Sequence, residues 1–208
     1  MARADRPRAT LLLLRHGPTA WNAEGRIQGH SDIGLSPQGE ATVAAWRLPA
    51  AWCDGQWYAS PLARARRTAA LLGHAGALVE PRLIEADWGQ WEGERLSDLR
   101  ARLGTTLVEE EARGLDFRPP GGESPRDLQQ RVTPFLRELA RLDRPAVAVT
   151  HKGIIRAIYA LARGWDMQVD PPDKLKDEHA HLFELDREGA PRAKRLNLPL
   201  RPGTGGDA

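Results

Sequence analysis

The hydrophobic positions of this chain fall into short unbroken runs. Residues 11–14 are four consecutive leucines, and residues 146–149 form a second run of alternating Ala and Val. A half-exposed strand alternates apolar with polar residues, whereas a strand covered on both faces is apolar throughout. Both runs lead into glycine-containing segments, so we predict two buried strands of a parallel sheet. Further short strands are predicted at 56–59, at 180–185 and near 195–198.

Apolar residues at helical spacing follow the second run and also appear upstream of it. Isoleucine and leucine recur at helical spacing over residues 154–161, which predicts a helix after the second strand. A longer amphipathic helix is predicted after Ser124. Ser124 and Asp127 have the spacing of a capping box, with Asp in place of the usual Glu, and Pro134 is expected to kink this helix. The apolar face of the long helix consists of Leu128, Val132, Phe135, Leu136 and Leu139.

Three more helices are predicted from local signals. Ser36, with a proline after it, predicts a helix that runs to about Arg47. Two short helices are predicted at about 95–103 and 105–113. Buried strands that alternate with helices indicate the α/β class, and 208 residues are enough for one domain with an adequate core.

Charged residues stand at the ends of both apolar runs. Arg15 and His16 end the first run, and His151 and Lys152 end the second. Ligands collect at the carboxyl ends of parallel strands, and the N-terminus of the helix predicted after His151 would suit a phosphate. Either histidine alone could be a core residue that bonds to a backbone carbonyl. Two histidines at matching positions favour a functional site.

Two further segments carry candidate chemistry. Ser60, followed by Pro61, is predicted to cap a helix that has Arg64 in its first turn. A cation at a helix N-terminus is disfavoured, and a bound phosphate would offset that cost. Glu85 ends an apolar pair and precedes an irregular stretch rich in Trp and Gly. A carboxylate beside a phosphate pocket suits proton transfer, although Glu85 could equally form a salt bridge with one of the many arginines.

Taken in chain order, these segments resemble the histidine phosphatase superfamily, in its phosphoglycerate mutase-like group and its short phosphatase branch. The resemblance extends from about Leu11 to about Leu161. It implies a single three-layer α/β/α domain with a mostly parallel central sheet and a small helical lid insert at about 94–122, which covers the active site. The segments that match are Leu14-Arg15-His16-Gly17, Thr19, Trp21-Asn22, Arg26 to Gly29, Asp32, Leu35-Ser36, Gly39, Ser60 to Leu62, Arg64-Ala65, Thr68-Ala69, Glu85, Gly89 to Gly93, Gly121 to Ser124, Thr150-His151, Gly153 and Arg156.

The resemblance also implies a role for each site residue. His16 would be the nucleophile that becomes phosphorylated, and Glu85 would be the proton donor. Arg15, Arg64 and His151 would clamp the phosphate. No metal and no cofactor are implied. The residues expected to line the phosphate and substrate pocket are Thr19, Asn22, Gln28, Gly29, Lys152 and Gly153.

The pattern favours a metal-independent phosphomonoester hydrolase that acts on a small phosphorylated metabolite. Cofactor-dependent mutases of the family have an adjacent arginine pair in a basic insert, whereas residues 109–118 here begin with three glutamates and contain no such pair. The mutases also tend to have Gly-Asn after the second histidine, where this chain has Lys152-Gly153. Two alternatives stay open: a cofactor-dependent phosphoglycerate mutase, and a non-catalytic module that binds a phosphorylated ligand on the same fold.

Lys152 is the clearest departure from the family pattern at the site. Relatives mostly have glycine directly after the second histidine, so a long cation has been added at the mouth of the expected pocket. Its methylene groups could lie on nearby apolar surface with the ammonium in water. The alternative is that Lys152 pairs with a second anionic group of the substrate.

Composition narrows the expectations for partners and location. A formal net charge of +2 does not indicate a nucleic-acid partner, and no apolar stretch reaches the length of a membrane span. Cys53 is the single cysteine, and residues 1–8 lack the apolar segment of a signal peptide, so a cytoplasmic location is expected. A homodimer is left open. His179 and His181 would share a strand face and are expected to be structural, and residues 1–8 and 201–208 are expected to be disordered tails.

Overall fold

The computed structural model describes residues 9–142 and 144–200. This part of the chain contains six strands and seven α-helices. The strands are β1 (Ala9–Arg15), β2 (Gln56–Ala59), β3 (Leu78–Val79), β4 (Ala146–Thr150), β5 (His179–Leu185) and β6 (Pro191–Pro199). The helices are α1 (Ala20–Ala23), α2 (Pro37–Ala44), α3 (Ala63–Leu71), α4 (Leu96–Leu103), α5 (Thr105–Glu111), α6 (Pro125–Arg141) and α7 (Lys152–Arg163).

The six strands form one sheet in the order β3-β2-β4-β1-β5-β6. β1 and β4 are parallel neighbours, and β2 and β3 extend the parallel part on the far side of β4. β5 pairs with β1 in the antiparallel sense, and β6 pairs with β5 in the same way. The predicted strands and the mostly parallel sheet are therefore confirmed. β5 begins one residue earlier than predicted, β6 begins at Pro191 and not near 195, and the short β3 was not predicted.

Helices cover both faces of the sheet. Leu11 and Leu13 of β1 belong to a core formed with α6 and α7, whereas Leu12 and Leu14 belong to a second core formed with α2 and α3. Each leucine of the first run is thus almost fully buried, on alternating faces. This is why the run is unbroken, and it confirms the three-layer α/β/α architecture.

Two predicted helix boundaries are wrong. α3 begins at Ala63, so Ser60 does not cap it and Pro61 precedes its first turn. The helix after Ser36 ends at Ala44, three residues before the predicted end at Arg47. By contrast, α6 begins with the predicted capping box of Ser124 and Asp127, and the helix continues through Pro134 without a break.

The insert at 94–122 contains two short helices, close to the bounds predicted for them. α4 and α5 pack through Leu99 and Leu107 on Ile27 and Trp91, in a small third core apart from the sheet. The expected tails, 1–8 and 201–208, lie outside the described residues. Within residues 9–142 and 144–200, no helix has the length and apolar character needed to cross a bilayer.

Candidate active site

Three parallel strands end side by side at one edge of the sheet. The backbone N–H of His16, after β1, donates to the carbonyl of Thr150 in β4 at 2.9 Å, and that of Ser60, after β2, donates to Val149 at the same distance. The imidazole rings of His16 and His151 therefore face each other, with their centroids 5.1 Å apart. The structure thus brings together the two histidines that the sequence placed at matching strand ends.

The His16 side chain is buried and held in a single tautomer. Its Nδ1 lies 2.7 Å from the carbonyl oxygen of Gly17. A carbonyl oxygen only accepts, so Nδ1 carries the proton and a neutral ring keeps a lone pair on Nε2. Burial, followed by the charges of Arg15 and Arg64, holds the pKa of His16 well below its usual range. The ring is therefore neutral at physiological pH, which is the state that a nitrogen nucleophile requires.

His151 is fixed by the residue that was expected to cap α3. Its Nε2 lies 2.7 Å from the Ser60 hydroxyl, and both side chains are fully buried. Burial, helped by His16, lowers the pKa of His151 well below its usual range. Within the described structure the buried Nδ1 of this ring has no hydrogen-bond partner. In the tautomer in which Nε2 accepts from the Ser60 hydroxyl, Nδ1 carries a proton that it can donate to a ligand.

Arg64 lies in the first turn of α3, as predicted, and is fully buried. Its Nη1 and Nη2 donate to the carbonyls of Ser31 (2.9 Å) and Gly29 (2.7 Å), while its buried Nε has no partner among the described residues. The helix N-terminus takes its cap from a distant loop, because Asp32 accepts from the N–H of Ala63 at 2.7 Å. Two carbonyls thus fix the guanidinium plane, and the buried Nε is among the N–H groups left for a ligand.

Glu92 holds the loop that contacts Arg64, a role that the sequence did not indicate. Its carboxylate accepts from the backbone N–H groups of His30 (2.5 Å) and Ser31 (2.7 Å). A side chain at Gly29 would clash with the Glu92 carboxylate and the Ala86 carbonyl. Gly29 therefore shapes the pocket wall by its small size and presents its carbonyl to Arg64.

Glu85 is buried next to the start of α7. Its Oε1 accepts from the backbone N–H groups of Ala86 (2.9 Å) and Gly153 (3.0 Å). Burial raises the pKa of Glu85, although these hydrogen bonds and the charges of Arg15 and Arg64 oppose the shift. A carboxyl group with a raised pKa can carry a proton for transfer, the role that the resemblance implies.

Arg131 and Glu123 fix the segment around Glu85, and the sequence analysis assigned neither residue a role. Arg131, on α6, donates to the carbonyls of Ile84 (2.9 Å) and Glu85 (3.3 Å). It also forms an ion pair with Glu123 at 2.9 Å, and Glu123 accepts from the N–H of Asp87 at 3.0 Å. These contacts hold the backbone on both sides of Glu85 in place.

Thr19, Asn22 and Gln28 form a hydrogen-bonded group beside the end of β1. Thr19 and Asn22 make the capping box of α1. Gln28 Nε2 donates to Thr19 Oγ1 at 2.5 Å, and Gln28 Oε1 is buried with no partner in the described part of the chain. These three predicted pocket residues are therefore mutually connected, and Gln28 keeps one acceptor free.

Arg15 and Lys152 lie on the open side of the site. Arg15 Nη1 forms a 2.6 Å ion pair with Asp177, while its buried Nε lacks a partner among the described residues. Lys152 is the exposed first residue of α7. Both side chains line a cavity of about 470 Å³, which His181 lines as well.

The free polar groups of the site suit an oxyanion. Arg15 Nε, Arg64 Nε and His151 Nδ1 are buried nitrogens without partners in the described structure. Buried polar groups are costly to leave unpaired, and the two guanidinium groups are donors that suit a phosphoryl oxygen. Among residues 9–142 and 144–200, no group of three or more His, Cys, Asp or Glu side chains is arranged to hold a metal ion.

Known proteins are similar to this chain both in sequence and in fold. A sequence model of the histidine phosphatase superfamily (branch 1) matches residues 11–198. A 2,3-bisphosphoglycerate-dependent phosphoglycerate mutase of Brucella melitensis biotype 1 is 33% identical over 182 residues, which cover 81% of this chain and 86% of the mutase.

Two solved structures are similar over nearly the whole chain. The TTHB049 protein of Thermus thermophilus is 34% identical and has a TM-score of 0.70, covering 91% of this chain and 99% of that protein. A mycobacterial glucosyl-3-phosphoglycerate phosphatase is 27% identical and has a TM-score of 0.72, covering 93% of this chain and 99% of its own. Together with the sequence match, these relatives show that the chain is an enzyme of the histidine phosphatase superfamily, branch 1.

Proposed function

We propose that this enzyme is a phosphomonoester hydrolase that forms a phosphohistidine on His16. The observation that carries the proposal is the tautomer and the neutral charge of the His16 imidazole ring. Nδ1 is committed to the Gly17 carbonyl, the pKa is held low, and the neutral Nε2 is left free. Arg15 and Arg64, which lower this pKa, lie close enough to bind the phosphoryl group that Nε2 would attack.

The reaction proceeds in two displacements. In the first, the lone pair of His16 Nε2 attacks phosphorus, the bond from phosphorus to the alcohol oxygen breaks, and protonated Glu85 gives its proton to that oxygen. In the second, the Glu85 carboxylate takes a proton from water, the water oxygen attacks phosphorus, and the N–P bond breaks. Inorganic phosphate leaves with neutral His16 restored.

The positive charge that this reaction needs comes from side chains. The transferred phosphoryl group carries negative charge on its non-bridging oxygens, so catalysis consists mainly of positioning and neutralising that group. Arginine binds two oxygens at once through its planar fork. Arg15 and Arg64 supply this function in the proposal, together with His151, and no step calls for a metal ion.

Phosphoglycerate mutase activity is the second candidate, because the Brucella relative has that name. A mutase must hold a substrate with two phosphoryl positions and return the group to the other one. The insert of this chain offers little unpaired positive charge for that purpose, since four of its five arginines lie within 4.0 Å of a carboxylate. These pairs are Arg100–Glu111, Arg102–Glu94, Arg113–Glu110 and Arg118–Asp127. The mycobacterial phosphatase shares the same fold. Hydrolysis is therefore the activity that we favour.

Trapping the intermediate tests the proposal. Enzyme quenched in base after mixing with a radiolabelled phosphomonoester is expected to retain label that acid then removes, as for a phosphoramidate. His16→Ala should abolish both labelling and turnover, whereas a matched His74→Ala variant, at a histidine stacked on Trp57 outside the site, should keep both. Label that persists in His16→Ala, or that resides on His151, would refute the assignment.

The same preparation separates hydrolase from mutase. We expect 3-phosphoglycerate to yield inorganic phosphate, and addition of 2,3-bisphosphoglycerate not to redirect the reaction. Product analysis by phosphorus NMR distinguishes phosphate release from transfer to the neighbouring hydroxyl. Accumulation of 2-phosphoglycerate faster than inorganic phosphate would establish the mutase instead.

A further inference from the structure

A cavity with a strong excess of positive charge opens beside Arg15. It lies between α7 and the segment at 165–177 that follows it, and has a volume of about 470 Å³. Five basic side chains and two carboxylates line it. We call it the basic cavity, and its charged residues are Arg15, Lys152, Arg156, Lys174, Lys176, Asp170 and Asp177.

Four of these five cations form no direct ion pair in the described part of the chain, although the charge of Lys152 helps to lower the pKa of Asp177. Within residues 9–142 and 144–200, no ion pair involves Lys152, Arg156, Lys174 or Lys176. Lys152, Lys174 and Lys176 are three of the four lysines in the whole chain. Elsewhere the protein pairs many of its cations, for example Lys194 with Glu184. Unpaired cations concentrated around one concave surface indicate a binding site for an anion.

Arg156 is held in place although it has no anionic partner within the described residues. Its guanidinium lies over the ring of Trp165, with 5.0 Å between the guanidinium carbon and the ring centroid. The indole is itself fixed, since its Nε1 donates to the carbonyl of Val169 at 2.9 Å. A stacked guanidinium keeps its N–H edge free for a ligand, and this orientation is set before the ligand arrives.

Arg15 connects the basic cavity to the phosphate site. It lines the basic cavity, with its Nη1 2.6 Å from the Asp177 carboxylate, and its charge also acts on His16 and Glu85. Lys152 provides a second connection, since it follows His151 directly and lines the same cavity. The basic cavity therefore borders the phosphate site at Arg15 and Lys152, the residues adjacent in sequence to His16 and His151.

We propose that the basic cavity binds a second anionic group on the alcohol part of the substrate, so that the enzyme selects phosphomonoesters that carry an additional carboxylate or phosphate. The proposal rests on the proposed hydrolase function and adds the substrate class. In this proposal Lys152 pairs with the second anionic group of the substrate, which is the second of the two roles considered for it in the sequence analysis. The proposal also assigns selection to the segment at 165–177, and none of the cavity's lining residues comes from the insert at 94–122.

The test compares substrates matched in length. The probes are phosphomonoesters of ω-hydroxycarboxylic acids with two to six carbons, the n-alkyl phosphates of equal length, and the corresponding diol bisphosphates. We expect kcat/KM for at least one spacer length to be about tenfold or more above that of the alkyl phosphate, a preference of the size that one charge-assisted contact supplies. Preference for the carboxylate or the bisphosphate series identifies the second anion.

A double variant shows whether the basic cavity causes the preference. Lys174→Gln/Lys176→Gln removes two exposed cations and should reduce the preference by about tenfold, mainly through KM. Lys194→Gln/Arg195→Gln removes the same charge from exposed positions of β6 and should leave the preference unchanged. Equal rates for the three series in the wild type, or a preference that survives in the Lys174/Lys176 variant, would overturn the proposal.

A binding measurement separates this proposal from the hydrolase function. If no probe is hydrolysed, the hydrolase proposal fails, and calorimetric titration with the ω-carboxyalkyl phosphates still tests the basic cavity. Weaker binding to the Lys174→Gln/Lys176→Gln variant than to the wild type then supports the second-anion site. Equal affinity for both proteins rules it out.

Discussion

Burial and neighbouring charges shift the pKa values of single residues in this site away from their values in water. His16 and His151 are kept neutral by burial and neighbouring charge, while burial favours the protonated form of Glu85. A neutral imidazole can attack phosphorus, and a protonated carboxyl can donate to a departing alkoxide. These shifts agree with the roles proposed above, in which His16 is the nucleophile and Glu85 is the acid.

Replacement of Glu85 by glutamine tests the acid role. An alkyl leaving group needs a proton, whereas a nitrophenolate leaves readily without one. Glu85→Gln is therefore expected to lower kcat for an alkyl phosphate by on the order of 10²–10⁴, the usual contribution of a positioned acid, and to affect 4-nitrophenyl phosphate much less. Steady-state kinetics on the two substrates provide the comparison.

Glu138→Gln is a suitable control for this variant. Glu138 is an exposed partner of Arg82, away from the site, and its replacement should change neither substrate's kinetics. If Glu85→Gln reduces turnover of both substrates equally, Glu85 acts in shaping the site and does not donate a proton.

The N-terminal turns of two helices supply groups of the site. The first turn of α7 supplies the Gly153 N–H to Glu85, and the first turn of α3 supplies Arg64. At Gly153 an added methyl group would overlap Oε1 of Glu85. The glycine directly after Lys152 is thus required by the close approach of a carboxylate to the helix N-terminus.

Gly153→Ala is expected to displace Glu85 while α7 persists, since alanine favours helix. Turnover of an alkyl phosphate should fall by at least about tenfold, because a small misplacement of a catalytic group is costly. The circular dichroism spectrum should be unchanged. Gly76→Ala, at a position with open space around it, is the matched control and should have wild-type turnover. Wild-type rates in Gly153→Ala would show that Glu85 tolerates the displacement.

At the scale of the whole molecule, buried histidines make stability depend on pH. His181 is buried, and burial together with the nearby His179 lowers its pKa to about 4. Its Nδ1 accepts the N–H of Asn197 at 3.3 Å, which only a neutral ring can do. Below pH 6.5 the unfolded chain binds a proton at this residue that the folded protein does not bind. Stability is therefore lost as the pH falls from about 6.5 towards 4.

His181→Gln should reduce this acid sensitivity. The His181 contribution corresponds to about 2 kcal/mol of unfolding free energy at pH 5, and replacement removes it. Urea unfolding of the wild type and the variant at pH 7.5 and at pH 5 measures the difference. An equally large loss in His181→Gln would show that other groups dominate.

Local signals in the sequence determined the sheet's central strands and the residues at their ends. The leucines at 11–14 must be buried on both faces, and such a strand can lie only inside a sheet covered by two helical layers. The carboxyl ends of parallel strands lie at the same edge of a sheet, so the pattern places His16 and His151 at that edge, while the structure shows that their strands are neighbours. Capping at Ser124 is equally local, since both partners lie within three residues.

Contacts between distant segments of the chain determined those features of the site that local sequence signals did not predict. Ser60 looks like a helix cap, but its hydroxyl bonds to His151, 91 positions away, while the N–H of Ala63 takes its partner from Asp32, 31 positions earlier. Arg131 reaches Glu85 across 46 positions. The basic cavity likewise exists only because α7 and the segment at 165–177 fold beside β1. A hydrogen bond or a cavity wall requires proximity in space, and only the tertiary structure brings these residues together.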